Sequence, residues 1–413
     1  MKKVVVLFAI LTMVLSVFSI TITMTAGAVG RELEALTEQV EMFMEENPDI
    51  TVNILPMPNS STDRHDLYVT YLASGTPDPD VLQLDVIWPA EFAPFLVDLT
   101  DDYDYFGLDG FFPGTVASNT VDGRLVAVPW FTDAGILYYR KDLLEKYGYD
   151  VPKTWDELYT AAKDISEKEG IEGFVWQGAR YEGLTCDVME FVHSFGGEIM
   201  KDGEVVVDDP EYYDNNVAAI TFMDKLIEEG VSPAGVTTYM EEEARRVFQN
   251  GDAVFMRNWP YAWPLVNAPE SPVAGKADIT VLPKGPAPDG RNSATLGGWN
   301  LGINANSSAA EVEASKKLIK FLVSKEQQVY KAVNAGQTPT MIEAYNDPRT
   351  IEANPFYADI LDVFLNAEPR PISPIYSEIS YEIQVAVHEV LTQQAEPEDA
   401  LDNLAENLKS LVE

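Results

Sequence analysis

Residues 20–85 alternate between two kinds of hydrophobic pattern. Residues 20–24, 51–55 and 81–84 form short apolar or alternating runs that are typical of strands. Residues 32–46 and 63–73 place their apolar side chains at helical spacing, and Asn47 and Pro48 end the first of these helices. Strands that alternate with helices in this order predict a parallel sheet with crossover helices, so this part of the chain is expected to be α/β.

The pattern changes between residues 125 and 139. Two strand-like runs, 125–129 and 135–139, are separated by residues 130–133. Pro129 closes the first run and Gly135 opens the second, which argues against a tight hairpin. We interpret this stretch as an extended segment that crosses from one lobe of the protein to another, and we place the first hinge here.

A second set of alternating elements follows the hinge. Thr154 is a predicted helix N-cap, and Glu157 completes a capping box. Residues 278–286, rich in proline and glycine at their end, indicate a second linker. The predicted helices are 154–168, 187–195, 211–229, 309–323 and 326–333, the predicted strands are 173–176, 253–256 and 299–303, and the tail contains two amphipathic helices. We therefore expect two lobes, the first built from residues 20–127 plus 286–336 and the second from 128–285 plus 337–413.

The amino-terminal residues predict an export signal. Lys2 and Lys3 precede an apolar run over residues 4–18, which is short for a membrane span. We expect cleavage after Ser19, with the small residues around Ala28 as the alternative site. No cysteine follows closely enough to carry a lipid anchor. The predicted location is therefore the periplasm, where the protein would diffuse freely.

Composition excludes several classes of function. The chain has 413 residues, a formal net charge of −39 and 67 acidic residues against 28 basic ones, a balance that opposes binding to nucleic acid or to anionic lipid. The hydrophobic content of 46% excludes a disordered acidic chain. The three histidines are far apart in sequence, and no phosphate-binding loop is present, so we expect no metal and no cofactor. The single cysteine, Cys186, is expected to be a buried, inert thiol.

An aromatic stretch at residues 257–263 is the strongest chemical signal. Trp259, Tyr261 and Trp263 occupy alternate positions around a proline, which suits neither a central strand nor a helical face. One interpretation is the first turn of a helix whose rings fill a core. The other is a wall for a sugar ring, because the C–H faces of a pyranose pack on indole while its hydroxyls seek hydrogen bonds. Residues 297–300, which include Trp299, form a second stretch of this type.

Carboxylates are the next candidates for ligand-binding or catalytic groups. Asp85 follows a predicted strand at the edge of a parallel sheet where ligands gather, although it could equally cap a helix that begins near Pro89. Ionised carboxylates accept several hydroxyl donors, and guanidinium groups donate in a rigid fork. A glycosidase would also need two catalytic carboxylates. Because the chain has so many acidic residues, the sequence does not identify any particular pair for this role. We therefore expect a binding protein rather than an enzyme.

Several motifs together resemble the solute-binding components of carbohydrate ABC importers, and most closely the trehalose/maltose-binding proteins of heat-adapted microbes. The resemblance runs from about residue 20 to the C terminus. The motifs that carry it lie at residues 78–81 with 85–86, 133–135 with 137–149, 173–178, 181–184, 257–263, 295–299 and 369–372. It implies a two-lobed α/β periplasmic-binding-protein fold of type II, with a ligand cleft between lobes that close by a hinge.

The resemblance also implies a function and a set of cleft residues. The implied ligand is a disaccharide of α-linked glucose units, passed by a monomeric protein to the membrane permease of an importer with an ATP-hydrolysing partner. A longer oligosaccharide or a glycerol-linked sugar is the alternative ligand. The implied cleft residues are Glu32, Arg64, Asp85, Phe131, Asp133, Trp259, Tyr261, Gly297, Gly298, Trp299 and Arg370. At position 131 the family pattern has a tyrosine, so Phe131 removes one hydroxyl and is expected to alter sugar preference. Without the resemblance, Arg64 would be interpreted as a solvated helix residue and Glu32 as a charge that complements a helix dipole.

Overall fold

The computed structural model describes residues 19–412 except 287, 289, 358–360, 362, 365 and 366. Apart from Ser19, the predicted export signal lies outside the described residues. The chain forms two α/β lobes, each built on its own sheet, as the sequence predicts. Each sheet carries its own hydrophobic core, which includes Leu36 and Ile319 in the first lobe and Trp155 and Phe191 in the second.

The first lobe contains a six-stranded mixed sheet. Its strands are β1 (Ile20–Ala26), β2 (Ile50–Pro56), β3 (Val81–Asp85), β4 (Ala127–Ala134), β9 (Leu296–Ile303) and β10 (Thr338–Pro339), with the intervening numbers in the second lobe. Their order across the sheet is β10-β4-β9-β3-β1-β2. Strand β1 is parallel to β2 and β3, which confirms the predicted crossover pattern, whereas β9 is antiparallel to both β3 and β4.

The second lobe contains a four-stranded sheet. Its strands are β5 (Ile136–Arg140), β6 (Glu172–Val175), β7 (Ala253–Asn258) and β8 (Ala277–Thr280), in the order β8-β5-β7-β6. Strand β7 is parallel to β6 and antiparallel to β5. Two small hairpins lie outside these sheets, formed by Thr120–Val121 with Arg124–Leu125 and by Met200–Lys201 with Glu204–Val205.

Helices cover the faces of both sheets. The longer ones are α1 (Glu32–Glu46), α2 (Ser61–Ala73), α3 (Trp155–Glu169), α4 (Glu182–Ser194), α5 (Tyr213–Glu228), α6 (Glu241–Gln249), α7 (Ala309–Leu322), α8 (Lys325–Ala335), α9 (Tyr376–Leu391) and α10 (Pro397–Val412). Shorter helices are Pro89–Phe92, Tyr103–Phe106, Pro113–Ala117, Lys141–Tyr147, Ala262–Val266, Ile342–Tyr345 and Pro348–Ala353. The predicted capping box of α3 is present, since Thr154 and Glu157 exchange side-chain and backbone hydrogen bonds. None of the helices in the described ranges combines the length and apolar composition needed to cross a bilayer.

The chain passes between the lobes at Gly135, one strand later than the predicted boundary at residues 127/128. Strand β4 pairs with β9 in the first sheet, and Gly135 alone separates it from β5. Trp299 of β9 pairs with Phe131 of β4, and the next residue, Asn300, pairs with Pro129, so the register shifts by one residue between them. Strand β4 therefore continues past Pro129 through a bulge. The pairing of β10 with β4 likewise places residues 338–339 in the first sheet rather than the second.

Two distant segments run side by side at the start of β9. Thr295 and Glu368 form an isolated parallel bridge, and the backbone N–H groups of Leu296 and Glu368 donate to Glu368 and Ala294 at 2.8 Å each. Residues 294–296 and 368 are therefore held together by backbone hydrogen bonds.

Candidate binding cleft

A cavity of about 710 Å³, measured to include its open mouth, lies between the lobes. The residues predicted from the sequence all line it, namely Glu32, Arg64, Asp85, Phe131, Asp133, Trp259, Tyr261, Gly297, Gly298, Trp299 and Arg370. Although these residues are up to 338 positions apart (370 − 32), the fold brings them to one place.

Glu32 opens α1 directly beside the carboxyl edge of the first sheet. Its Oε1 accepts a 2.6 Å hydrogen bond from Nε2 of Gln83 in β3, and Gln83 in turn accepts from the backbone N–H of Gly27 at 2.6 Å. The glutamate is buried and lines the cavity. The hydrogen bond therefore fixes the orientation of Glu32 toward the cleft. This role adds to the favourable interaction of its charge with the helix dipole, which its position in the sequence suggested.

Asp133 lies in β4 and faces the cavity from the first sheet. The side chain is buried, and its Oδ1 accepts no hydrogen bond from the described residues. Burial raises the pKa of this carboxyl well above its ordinary value, and the nearby charge of Glu32 acts in the same direction. A buried acceptor of this kind is suited to a hydroxyl donor from a ligand.

Asp85 ends β3 and pairs with an arginine instead of capping a helix. Its Oδ1 lies 2.7 Å from Nη2 of Arg370. The helix Pro89–Phe92 has Trp88 as its N-cap residue and no side-chain capping bond, so the capping interpretation is wrong. Arg370 also donates from Nη1 to Glu182 at 2.6 Å. The guanidinium thus joins the end of β3 in the first lobe to the start of α4 in the second.

Two indole rings form walls of the cavity, and each has one face covered by a guanidinium. Arg64 lies 4.3 Å from the ring centroid of Trp299, and Arg257 lies 3.9 Å from that of Trp259. Arg64 is only 1% exposed, so the interpretation of this residue as a solvated helix position is wrong. Its Nη2 donates to the carbonyl of Pro58, while Nε and Nη1 are buried without a hydrogen-bond partner among the described residues.

The aromatic stretch at 257–263 divides between the cleft and the core. Trp259 and Tyr261 line the cavity, and the Tyr261 hydroxyl donates to Glu242 at 3.0 Å. Trp263 packs on Phe356, with ring centroids 5.2 Å apart, in a hydrophobic cluster of the second lobe. The core interpretation therefore fits Trp263, whereas Trp259 and Tyr261 lie at the cavity, where the interpretation as a sugar wall would place them.

Gly297 and Gly298 allow the strands and rings to approach closely. A Cβ atom on Gly297 would lie 3.0 Å from the Trp259 ring, a contact that would push the ring away. Gly298 has φ +124°, and a Cβ atom there would lie 2.5 Å from the carbonyl oxygen of Phe131. The pair therefore fixes the position of Trp259 and the bulge beside Trp299.

Several lining residues were not predicted as cleft residues. They are Val29, Asn59, Ser61, Glu182, Gly183, Cys186, Glu241 and Gln337. Glu241 begins α6 with its Oε1 3.5 Å from the Trp259 indole nitrogen, and burial raises the pKa of its carboxyl. Its neighbours are also acidic, so no local pattern distinguishes it. Glu182 and Gly183 belong to a motif that supported the resemblance, and that motif was the available signal.

Two buried groups complete the electrostatics of the cleft. The thiol of Cys186 is buried as expected, and burial raises its pKa well above the ordinary value. Lys331, which was not predicted, is buried behind Phe131, with Nζ 4.3 Å from that ring centroid, and burial lowers the pKa of its amine. Within the described ranges, no three His, Cys, Asp or Glu side chains are grouped so that they could hold a metal ion.

The combination of two α/β lobes with a polar and aromatic cleft between them defines a solute-binding protein of the periplasmic type. The chain belongs to the bacterial extracellular solute-binding protein family, whose model matches residues 27–329. Members of this family bind sugars and work with ABC transporter permeases. The expected two-lobed periplasmic-binding-protein fold is confirmed.

Individual relatives cover nearly the whole chain. The structure of maltose-bound MalE3 from T. maritima is 63% identical, with a TM-score of 0.92 over 95% of this chain and 99% of that one. A probable ABC transporter-binding protein of Deinococcus radiodurans is 40% identical over 94% of this chain and 92% of its own length. The galactooligosaccharide-binding protein of Bacillus subtilis is 25% identical over 91% of this chain and 86% of its own length.

Proposed function

We propose that this protein binds a disaccharide of α-linked glucose units, of the maltose or trehalose type, and delivers it to the permease of an ABC importer. The observation that carries the proposal is the cleft itself, in which two indole walls face buried carboxylates and guanidinium groups. A sugar ring matches both kinds of surface, because its C–H faces pack on indole and its hydroxyls donate to carboxylates. The 63% identity to a maltose-bound protein supports the choice of an α-glucoside.

Unpartnered polar atoms support a ligand rich in hydroxyls. Oδ1 of Asp133, Nε and Nη1 of Arg64 and Oε1 of Gln337 are buried and have no hydrogen-bond partner among the described residues. Leaving such atoms unpaired costs about 1–3 kcal/mol each, and a sugar hydroxyl can both donate to the acceptors and accept from the donors. An apolar ligand would leave all of them unpaired.

Each proposed cleft residue has a role in this scheme. Glu32, Asp85 and Asp133 accept from hydroxyls, Arg64 and Arg370 donate, and Trp259, Tyr261 and Trp299 form the stacking walls. Gly297 and Gly298 shape the wall, and Phe131 provides an apolar contact in place of a hydroxyl. The protein acts without covalent chemistry, after export from the cytoplasm with residues 1–19 removed, and as a monomer.

A sugar panel tests the proposal. Thermal shift followed by calorimetry should give clear stabilisation and tight binding with maltose or trehalose, because a ligand that binds only the folded state raises its stability. Long incubation with either sugar should release no glucose, which separates binding from glycosidase activity. Stabilisation only by galactooligosaccharides, by a longer glucan or by a glycerol-linked sugar would overturn the α-glucoside disaccharide as the ligand.

A further inference from the structure

Glu182 lines the cleft, yet its carboxylate is already occupied by protein donors. It is the first residue of α4 and is 6% exposed. Oε1 accepts from Nη1 of Arg370 at 2.6 Å and from the hydroxyl of Tyr376, and Oε2 accepts from the hydroxyl of Ser380 at 2.5 Å. These three bonds occupy three of the roughly four acceptor sites of the carboxylate, which leaves at most one site, on Oε2, for a sugar hydroxyl.

The arginine that Glu182 holds is also bonded to the first lobe. Nη2 of Arg370 lies 2.7 Å from Oδ1 of Asp85, at the end of β3 in the first lobe. Tyr376 and Ser380 belong to α9, which packs against α4 in the second lobe. Glu182 is therefore anchored to the second lobe, while the guanidinium that it orients is bonded to the first.

A second contact at the same place also links the lobes. The backbone N–H of Glu182 donates to the hydroxyl of Thr62 in α2 at 3.0 Å. The bond to Thr62 and the simultaneous bonding of Arg370 to Glu182 and to Asp85 both require the start of α4 to lie beside residues of the first lobe. They can therefore form only when the cleft is closed at this point.

We propose that Glu182 is a positioning residue, which holds Arg370 on Asp85 across the cleft and so ties sugar recognition by Asp85 to closure of the lobes. This inference rests on the proposed function. In the closed protein Arg370 takes one oxygen of Asp85 and fixes the carboxylate plane, which leaves Oδ2 to accept a sugar hydroxyl. Without Glu182 the guanidinium loses its anchor in the second lobe, and Asp85 loses its fixed orientation.

A double-mutant cycle in the full chain tests the proposal. Glu182→Gln is expected to weaken maltose binding about tenfold to a hundredfold, because a charged partner is removed from a buried guanidinium. The same substitution made together with Arg370→Met should cause no further loss beyond that of Arg370→Met alone, since Glu182 acts only through the arginine. A purely local packing role for Glu182 would give the same loss in both backgrounds.

Two further variants keep the test decisive if Glu182→Gln does not fold. Tyr376→Phe removes a hydroxyl that donates to the Glu182 carboxylate from outside the cavity. This substitution should weaken maltose binding a few-fold in the wild-type background and leave it unchanged in the Arg370→Met background. Glu378→Gln, an exposed glutamate in the first turn of α9, is the matched control and should retain wild-type affinity. Melting temperature and circular dichroism confirm that each variant is folded.

The outcomes separate this inference from the proposed function. If the wild-type protein binds no sugar, the proposed function fails. If the wild type binds maltose and Glu182→Gln binds it equally well, the positioning role fails while the function stands. Losses that multiply when Glu182→Gln and Arg370→Met are combined would also overturn the positioning role.

Discussion

Replacing Asp133 by asparagine is expected to make the folded protein more stable at neutral pH and to weaken sugar binding at the same time. Burial raises the pKa of this carboxyl well above its ordinary value, and repulsion from Glu32 adds to the effect. Its Oδ1 accepts no hydrogen bond from the described residues. The folded protein therefore carries a free-energy cost for an ionised group at this position, and an uncharged amide of similar size removes most of it.

The magnitude follows from the neighbours of Asp133. Asparagine keeps an unpaired polar group but removes the extra cost of burying a charge, and the nearby charges of Lys331 and Arg257 offset part of that cost, so a gain of about 1–2 kcal/mol is expected at pH 7.5. Sugar binding loses a charged acceptor, which amounts to about 1.5–3 kcal/mol, or roughly ten- to a hundredfold in affinity. Urea unfolding measures the first quantity and calorimetry with maltose measures the second.

The pH dependence provides the sharper test. Since the pKa of Asp133 is higher in the folded state than in the unfolded one, the cost grows as pH rises through the unfolded value near 4 toward the folded value. Below pH about 4 the group is protonated in both states, so the advantage of Asp133→Asn should fall toward zero there. Asp98→Asn is a control in which the change in stability is expected to have the opposite sign. Hydrogen bonds from Thr100 and then the charge of Arg124 lower the pKa of Asp98.

Two results would refute this reasoning. One is an Asp133→Asn protein that is no more stable than the wild type at pH 7.5. The other is a stability gain that persists unchanged at pH 4, since such a gain could not come from ionisation of the carboxyl. The Asp98→Asn control should instead lose a little stability at pH 7.5, match the wild type at low pH and leave sugar affinity unaltered.

Four further substitutions have defined outcomes. Asp85→Ala and Trp299→Ala should each weaken maltose binding by about 1.5–3 kcal/mol in calorimetry while the circular dichroism spectrum stays the same, and wild-type affinity in either would remove that residue from the site. Gly135→Ala should lower the unfolding free energy in urea by about 1–3 kcal/mol, because its Cβ would overlap a buried ion-paired carboxylate, whereas Gly110→Ala, with nothing within 4 Å of the added methyl, should change it little. Phe131→Tyr should reorder the sugars in a thermal-shift panel, because it adds a hydroxyl to the cavity wall, and an unchanged order would contradict a role in specificity.

Elements with strong local signals were predictable from the sequence. Helix α1 has the predicted bounds, since its apolar face repeats at helical spacing and Asn47 and Pro48 end it. The capping box at Thr154 and Glu157 depends on residues three apart and was equally clear. Such features are decided by neighbours in the chain, so the rest of the fold is not needed to see them.

Elements decided by the tertiary structure were harder to predict. Helix α4 begins at Glu182, whereas the sequence predicted residue 187, because the whole helix is buried and has no polar face to mark its start. Strand β4 continues past Pro129 through a bulge, and the bulge depends on the partner strand. The predicted boundary between the lobes was displaced for this reason.

In the cleft, the types of residue were predictable from the sequence, whereas the partners with which they interact were not. Rings, carboxylates and guanidinium groups suited to a sugar were identifiable one at a time, through their setting and the family resemblance. The ion pairs between these groups were not identifiable, because Arg370 is separated in sequence from Asp85 by 285 positions and from Glu182 by 188 positions. Glu241 was missed since an acidic chain offers many similar glutamates, and only burial against Trp259 distinguishes this one.

The distribution of cleft residues between the lobes determines how binding and closure are related. The first lobe supplies Glu32, Asp133 and Arg64, whereas Trp259 and Tyr261 belong to the second. A sugar held by the first lobe alone would keep one face in water, where its hydrogen bonds contribute little beyond those to solvent. When the second lobe closes, the same bonds become buried and the stacking wall is added. Under the proposed function, part of the binding free energy would therefore shift the lobes toward the closed state, and the measured affinity would report the remainder.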